Sequence, residues 1–322
     1  MDGRDWTRHM KLRHLHVFAT VARHRSLTAA AVALGISQPA MSKWLRELES
    51  QVGSALFDRG RELKLLPQGE VLLRRVERVL GELGRAGDEM KELALGRAGS
   101  VRVGTVFGPG SIFVPRAVVT FSEAAPSVEV FLYEDTVDRL LPRLQTGELD
   151  VIVCRLEEQA LNAAVSSEVL YDDPARIVAR PGHPLARSRR LTWAEVHECA
   201  WILPVRGAPM RLRIEQAFAQ AGLSLPARRI ESVSPISSLT LVRETDRLAV
   251  MSSDLAHYFE DAGLVRRLPL AVEQGVGPVG MLWIDGPVAS TVERLLECLR
   301  RQAREVHRRS IEQPRRTGRT RS

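Results

Sequence analysis

The chain has 322 residues, 44% of them hydrophobic and 26% charged, a length that exceeds one comfortable core and predicts two or three domains. No run long and apolar enough for a membrane span occurs, and Met1 to Lys11 lacks the apolar region of a secretion signal, so a cytoplasmic, non-membrane protein is expected. The net charge of +7 is uneven: residues 1–66 hold 11 Lys/Arg against 6 Asp/Glu, residues 300–322 hold 9 against 2, and the body between is mildly acidic, which suits an end domain that meets a polyanion.

Leu12, Leu15, Phe18, Ala19 and Ala22 recur at helical spacing and predict a first amphipathic helix. Ser26 then stands as an N-cap before a short helix with Leu27, Ala30, Ala31 and Leu34 facing inward, and Gly35 ends it. Ser37-Gln-Pro opens a third helix, so two short helices flank a tight glycine turn in a helix-turn-helix pattern. Met41, Leu45, Leu48 and Val52 form the buried stripe of that third helix, with Trp44 at its margin as a packing residue. The opposite side carries Gln38, Pro39, Ser42, Lys43 and Arg46. Glutamine pairs with adenine bidentately, serine with either groove edge, and lysine or arginine with guanine or phosphate. A solvated polar face is the bland alternative. After Gly53, two short apolar stretches around Arg59-Gly60-Arg61 read as a hairpin wing whose arginines suit phosphate or a minor groove.

These residues resemble the LysR-type transcriptional regulators. The likeness is carried by Leu15 and Phe18, Ser26-Leu-Thr-Ala-Ala30, Leu34, Ser37-Gln-Pro-Ala-Met-Ser42, Leu48-Glu49, Gly53, Leu56-Phe57, Arg59 and Pro67-Gln-Gly69. The resemblance runs to about residue 306, and it implies a regulatory role and a homodimer or homotetramer. It also implies promoter DNA contacts at Ser37, Gln38, Pro39, Ser42, Lys43 and Arg59. The chain departs from the family at Leu66, where a capping threonine is usual, and at Trp44, where polar residues are commoner.

From Pro67, Leu72, Val76, Val79, Leu83, Ala86, Met90 and Leu93 form a heptad seam. Pairing with a second chain buries such a seam, and packing on the chain's own body is the alternative. Gly81, Gly84 and Gly87 interrupt the helix as points of close crossing or bending. The expected division is a winged helix-turn-helix over 1–66, a dimerising linker helix over 67–96, an effector-binding domain over 97–306 and a basic disordered tail over 307–322.

Strands at Val101–Val106, Val128–Leu132 and Leu149–Val153 alternate with helices at Ile112–Phe121 and Val137–Gln145, with Gly108-Pro-Gly110 as a turn. This rhythm predicts an α/β domain with a parallel sheet. Strands at Arg176–Ala179, Ala200–Leu203, Arg229–Val233 and Leu248–Met251, with helices between, predict a second sheet. Val279–Ile284 and a helix over Val288–Val306 return to the first lobe. By resemblance the body is two-lobed and periplasmic-binding-protein-like, with lobe I over 97–160 and 268–306, lobe II over 161–267, and crossings near 155–165 and 264–272.

Ligands of open α/β sheets sit beyond the carboxyl ends of strands. Those ends carry Phe107, Gly108 and Ser111, then Thr136, Pro204, Arg206 and Ser234. The hydroxyls and glycine-turn amides suit an anion, and Arg206 suits a carboxylate. The resemblance places effector contacts at Gly108, Thr136 and Pro204, and it implies RNA polymerase as a further partner. Ile202 to Arg211 is similar to the branch that includes regulators of sugar transport and protocatechuate breakdown, which favours a sugar or an aromatic-acid effector.

Cys154, Cys199 and Cys298 are scattered without a CxxC or a histidine cluster, so neither a disulfide framework, a metal site nor a cofactor is expected. Gly104 to Gly110 matches neither the dinucleotide nor the P-loop spacing, and no GxSxG elbow occurs. An enzyme of unknown reaction and a ligand-binding transport-type protein are the rival readings. The helix-turn-helix disfavours both.

Overall fold

A computed structural model describes residues 9–59, 63–94, 99–156, 165–272, 277–286 and 288–312. These form two compact units that part after the long helix. Among the described residues no helix is long and apolar enough to cross a membrane.

The first unit opens with α1 (Leu12–His24), α2 (Leu27–Leu34) and α3 (Gln38–Val52). The Ser26 hydroxyl accepts the Ala29 N–H at 3.3 Å and the Ser37 hydroxyl accepts that of Ala40 at 3.4 Å. Each cap satisfies a donor that the first helical turn leaves open. Gly35 closes α2 at φ +63°, a left-handed conformation that costs any side chain steric energy. Phe18, Val21, Ala30, Ala31, Met41, Leu45 and Leu48 then interlock in one core. Strands β1 (Phe57–Arg59) and β2 (Leu63–Leu65) pair antiparallel as the expected wing.

Helix α4 (Pro67–Ala94) starts hard against this core: a Cβ on Gly69 would lie 2.3 Å from the Leu56 carbonyl oxygen. Leu72, Leu73, Val76 and Leu80 pack on the core, whereas Val79, Leu83 and Met90 stay exposed. The heptad seam therefore divides. Its first turns serve the chain's own core, and only the later positions remain open. Residue Leu93 and the end of the expected linker at 95–96 fall where no side chain or backbone is described.

The second unit holds two five-stranded sheets. In the first, β3 (Ser100–Thr105), β4 (Glu129–Glu134) and β5 (Val151–Arg155) run parallel, while β6 (Val165–Asp172) and β12 (Pro278–Ile284) complete it antiparallel in the order β4-β3-β5-β12-β6. Helices α5 (Phe107–Ser111), α6 (Phe113–Ala124), α7 (Val137–Gln145) and α12 (Ser290–Glu312) accompany it. The second sheet has the order β11-β7-β10-β8-β9, from β7 (Ala175–Ala179), β8 (Ala200–Leu203), β9 (Arg229–Glu231), β10 (Arg247–Ser252) and β11 (Arg266–Ala271). Its helices are α8 (Trp193–His197), α9 (Pro209–Gln220), α10 (Pro235–Glu244) and α11 (Ser253–Asp261).

Five expectations are corrected, the first being a disordered tail from 307, since α12 continues to Glu312 and only 313–322 lie outside the described residues. Gly108-Pro-Gly110 lies inside helix α5 rather than forming a simple turn, because the first helical turn needs no N–H from Pro109 and the Gly110 N–H already reaches the Val106 carbonyl at 2.9 Å. The first sheet is parallel over the three strands expected to be so, but β12 enters it antiparallel and makes it mixed. The expected lobe II start at 161 is overturned: β6 pairs with β12 from Val165 to Asp172, so these residues belong to the first sheet. The expected return to lobe I at 268 is likewise too early, since β11 pairs with β7 up to Ala271. Of the crossing expected at 155–165, residues 157–164 lie outside the described residues.

Candidate functional site

Helix α3 separates an apolar back from a polar front. Met41, Leu45 and Leu48 are buried, and Gln38, Pro39, Lys43 and Arg46 are exposed with Ser42 half-buried. The Gln38 Nε2 donates to the Ser42 Oγ at 3.0 Å, and the Arg46 Nε donates to the Ser42 carbonyl at 3.1 Å. Gln38, Ser42 and Arg46 thus form one row at successive four-residue steps. Lys43 stands beside the row with 69% of its side chain exposed. Lys43, Arg46, Glu47, Ser50 and Gln51 line an open hollow along the helix. An amide, a hydroxyl and two cations on a rigid helix match the chemistry of base edges and phosphates. Ser37 is exposed and spends its hydroxyl on the cap. Arg59 ends β1, and Arg61 lies outside the described residues.

Three contacts hold this helix from behind. His14 of α1, 1% exposed, reaches the Glu47 carboxylate. The Arg13 guanidinium lies 5.1 Å from the centre of the half-buried Trp44 ring, a cation–π contact. Glu49 Oε1 accepts the Leu56 N–H at 2.9 Å and so fixes the turn into the wing.

In the second unit, the carboxyl ends of parallel strands carry the other candidates. Phe107 and Gly108 open α5 directly after β3, and Ser111 closes it, its hydroxyl donating to the Phe107 carbonyl at 2.6 Å. Thr136 follows β4 and is exposed, its N–H donating to Asp135 Oδ1 at 2.8 Å. Because β3 and β4 are neighbours, α5 comes close: a Cβ on Gly110 would lie 2.8 Å from the Thr105 methyl carbon and 3.5 Å from the Glu134 carboxyl. On the second sheet Pro204 follows β8, Arg206 is exposed in the same loop, and Ser234 caps α10 by accepting the Ser237 N–H at 3.2 Å. Phe107, Gly108, Ser111 and Thr136 are therefore gathered at the strand ends of the first sheet. Pro204, Arg206 and Ser234 are gathered at those of the second.

Beneath the second rim lies Arg211, with 1% of its side chain exposed. Its Nη1 donates to the Pro204 carbonyl at 3.0 Å and to Glu231 Oε1 at 3.1 Å, and its Nε to Glu215 Oε1 at 2.7 Å. One guanidinium nitrogen thus ties together the ends of β8 and β9, while Nε of the same group holds the Glu215 carboxylate of α9.

Residues 12–70 match the family described as "Bacterial regulatory helix-turn-helix protein, lysR family", and residues 94–304 match "LysR substrate binding domain". The chain is 34% identical over 308 residues to the HTH-type transcriptional regulator GbpR of Azospirillum brasilense, covering 95% of this chain and 90% of that protein. The chain is a LysR-type transcriptional regulator. This regulator is also 31% identical over 301 residues to the HTH-type transcriptional regulator PcaQ of Agrobacterium fabrum, covering 92% of this chain and 96% of that protein. Its fold matches that of full-length CbnR complexed with the target DNA, with a TM-score of 0.56 and 21% identity across 91% of this chain and 100% of CbnR.

Two supporting residues of this LysR-type regulator escaped the sequence reading. Arg211 had a local signal, the four-residue spacing to Glu215 on one helix. His14 had none, because Glu47 is 33 residues away. The three cysteines form no disulfide: Cys154 is buried, and burial pushes the Cys199 and Cys298 thiols up, which makes them poor nucleophiles.

Proposed function

We propose that this LysR-type regulator reads its promoter through Gln38 and Ser42, with Lys43, Arg46, Ser37, Pro39 and the wing residues Arg59 and Arg61 taking phosphates and flanking positions. The observation that carries this reading is the polar row of exposed Gln38, half-buried Ser42 and exposed Arg46 on a helix whose opposite side buries Met41, Leu45 and Leu48. Such a helix can enter the major groove without disturbing the core behind it. The exposed Val79, Leu83 and Met90 of α4 support a homodimer, which sets two recognition helices on two half-sites. Two dimers then form a tetramer that contacts RNA polymerase in the cytoplasm.

The effector is a sugar or an aromatic-acid catabolite, held at Phe107, Gly108, Ser111, Thr136, Pro204, Arg206 and Ser234. Arg206 pairs the carboxylate in a forked geometry while the hydroxyls orient the rest. Regulation works by binding alone, with no chemistry on the effector, as the transcriptional family supports. The effector must favour one arrangement of the molecule over another in order to signal.

Duplexes selected by the wild-type chain from a randomised library provide the test. Gln38→Ala should lower the ratio of selected to random DNA affinity by about 5- to 100-fold, the worth of one bidentate base contact. Equal loss on both DNAs would refute the reading.

A further inference from the structure

We infer that Arg155 and Asp173 form the pivot that sets the two sheets of the effector-binding domain relative to each other, and so position the rim residues of both. Its consequence for signalling rests on the effector reading above.

The chain passes between the sheets twice, from Asp172 to Ala175 and from Ala271 to Pro278. Asp173 lies on the first passage with 1% of its side chain exposed, and Arg155 ends β5 with 11% exposed. Arg155 Nη2 donates to Asp173 Oδ2 at 3.0 Å and to the Asp173 carbonyl at 3.1 Å. Its Nη1 donates to the carbonyl of Gly277, on the second passage, at 2.9 Å. Asp173 Oδ1 accepts the Asp254 N–H at 3.1 Å, in the first turn of α11. One ion pair thereby joins the end of β5, both passages and the start of a helix on the second sheet.

A buried ion pair is weak evidence for stability, because desolvation offsets most of its attraction. Burial indeed pushes the Asp173 carboxyl up, against the lowering influence of the Arg155 guanidinium and the Asp254 N–H. What such a pair supplies is direction, since each donor points at a fixed acceptor. Strand β5 neighbours β3, whose end leads into Phe107 and Gly108. Strand β10, which leads into α11, neighbours β8, whose end leads into Pro204. The pair therefore links the strands beside both rims.

Elsewhere the two sheets meet through contacts of a different kind. Ile112, which separates α5 from α6, packs in a cluster with Val242, Leu255 and Phe259. The Arg116 guanidinium lies 5.5 Å from the Tyr258 ring centre. Ile112 directly follows Ser111, so an occupant of α5 presses on an apolar contact that can slide, since hydrophobic contact is non-directional. The Arg155–Asp173 pair stays fixed while that contact shifts.

Hydrogen exchange of the full chain, without effector or DNA, tests the pivot. Asp173→Asn keeps the size and removes the charge; Arg155→Lys keeps the charge and removes the fork. Each variant should speed exchange about tenfold at 173–177 and at the start of α11, leaving the centres of β3 and β10 unchanged. Transcription from a reporter promoter bound by the wild-type chain should change by about threefold or more without effector, with DNA affinity kept within about twofold. Uniformly faster exchange across the unit would reduce the pair to a folding role and overturn the inference. So would local loosening with unchanged transcription. Failure of the effector reading shows separately, as an intact effector response in Thr136→Ala and Arg206→Ala chains.

Discussion

His14 and Glu47 meet at 3.2 Å, Nε2 to Oε2, and join α1 to α3 with only 2% of the histidine side chain exposed. The Lys11 N–H donates to His14 Nδ1 at 3.4 Å, so Nε2 carries the proton and donates to the carboxylate. The other oxygen of Glu47 lies 4.0 Å from Lys43 Nζ. A buried imidazole thus restrains a carboxylate that stands next to Lys43, a cation on the polar side of α3. Replacing His14 with leucine should cost roughly 2–4 kcal/mol, since it strands the Lys11 N–H and the inner side of Glu47. Glu47→Gln keeps an acceptor and should cost less than about 1 kcal/mol. Urea denaturation measures both.

Lys43 and Gln38 should separate in salt titrations of DNA binding. Lys43→Ala should weaken binding to selected and random duplexes alike and reduce the salt slope by about one. Gln38→Ala should leave that slope unchanged, because an amide releases no counterion. A shallower slope in the glutamine variant would place Gln38 on the backbone instead of the bases.

Arg211 anchors the Pro204 loop from below. Arg211→Met should lower stability by about 2–4 kcal/mol, because Pro204 and Glu231 lose their shared donor. Arg211→Lys should rescue only part, since one ammonium that reaches Pro204 and Glu231 leaves Glu215 without its Nε donor. Thermal unfolding reads the stability. A thermal-shift screen of sugars and aromatic acids should show a weaker ligand response in both variants than in the wild-type chain.

His183 makes the second unit sensitive to acid. It is 4% exposed, its Nδ1 accepts the Leu185 N–H at 3.1 Å, and its Nε2 faces the Asp246 carbonyl at 3.3 Å. Burial holds its pKa below the ordinary value of 6.5, opposed by Asp246 and reinforced by Arg180. The unfolded chain therefore takes up the proton first. Stability from this site is complete above about pH 6.5 and is lost as pH falls through that value toward the lower folded pKa. Denaturant midpoints at about pH 7.5 and about pH 5.5 should differ more for the wild-type chain than for His183→Gln. An unchanged difference would assign the acid sensitivity elsewhere.

The exposed part of the α4 seam should govern self-association. Leu83→Asp places a charge on the open stripe of Val79, Leu83 and Met90, where a dimer would have to desolvate it. Sedimentation equilibrium should show a shift toward monomer. Val76→Asp should instead unfold the first unit, because Val76 is 3% exposed within its core.

The helix-turn-helix was legible because its signals are local. Ser26, Gly35 and Ser37 act on backbone groups within a few residues, and the helix bounds follow from them. The polar row of α3 was legible for the same reason, as the complement of an apolar stripe with helical period. Strand β6 was not legible: its partner β12 lies more than a hundred residues later, and its own burial is partial. The lobe boundaries inherited that error. Gly108 to Gly110 misled in the opposite direction, since glycine and proline signal turns but are also tolerated in a first helical turn.

Taken by itself, the order of amino acids determined the domain sequence, the family and the exposed side of α3, because periodicity, caps and glycine turns are short-range physics. Only tertiary structure decided which charged groups are buried: Arg211 instead of Arg206 beneath the loop, His14 behind α3, and Arg155 against Asp173 between the sheets. Burial of a charge depends on desolvation by residues far away in the chain, so even the four-residue spacing of Arg211 and Glu215 marks an ion pair and not its burial.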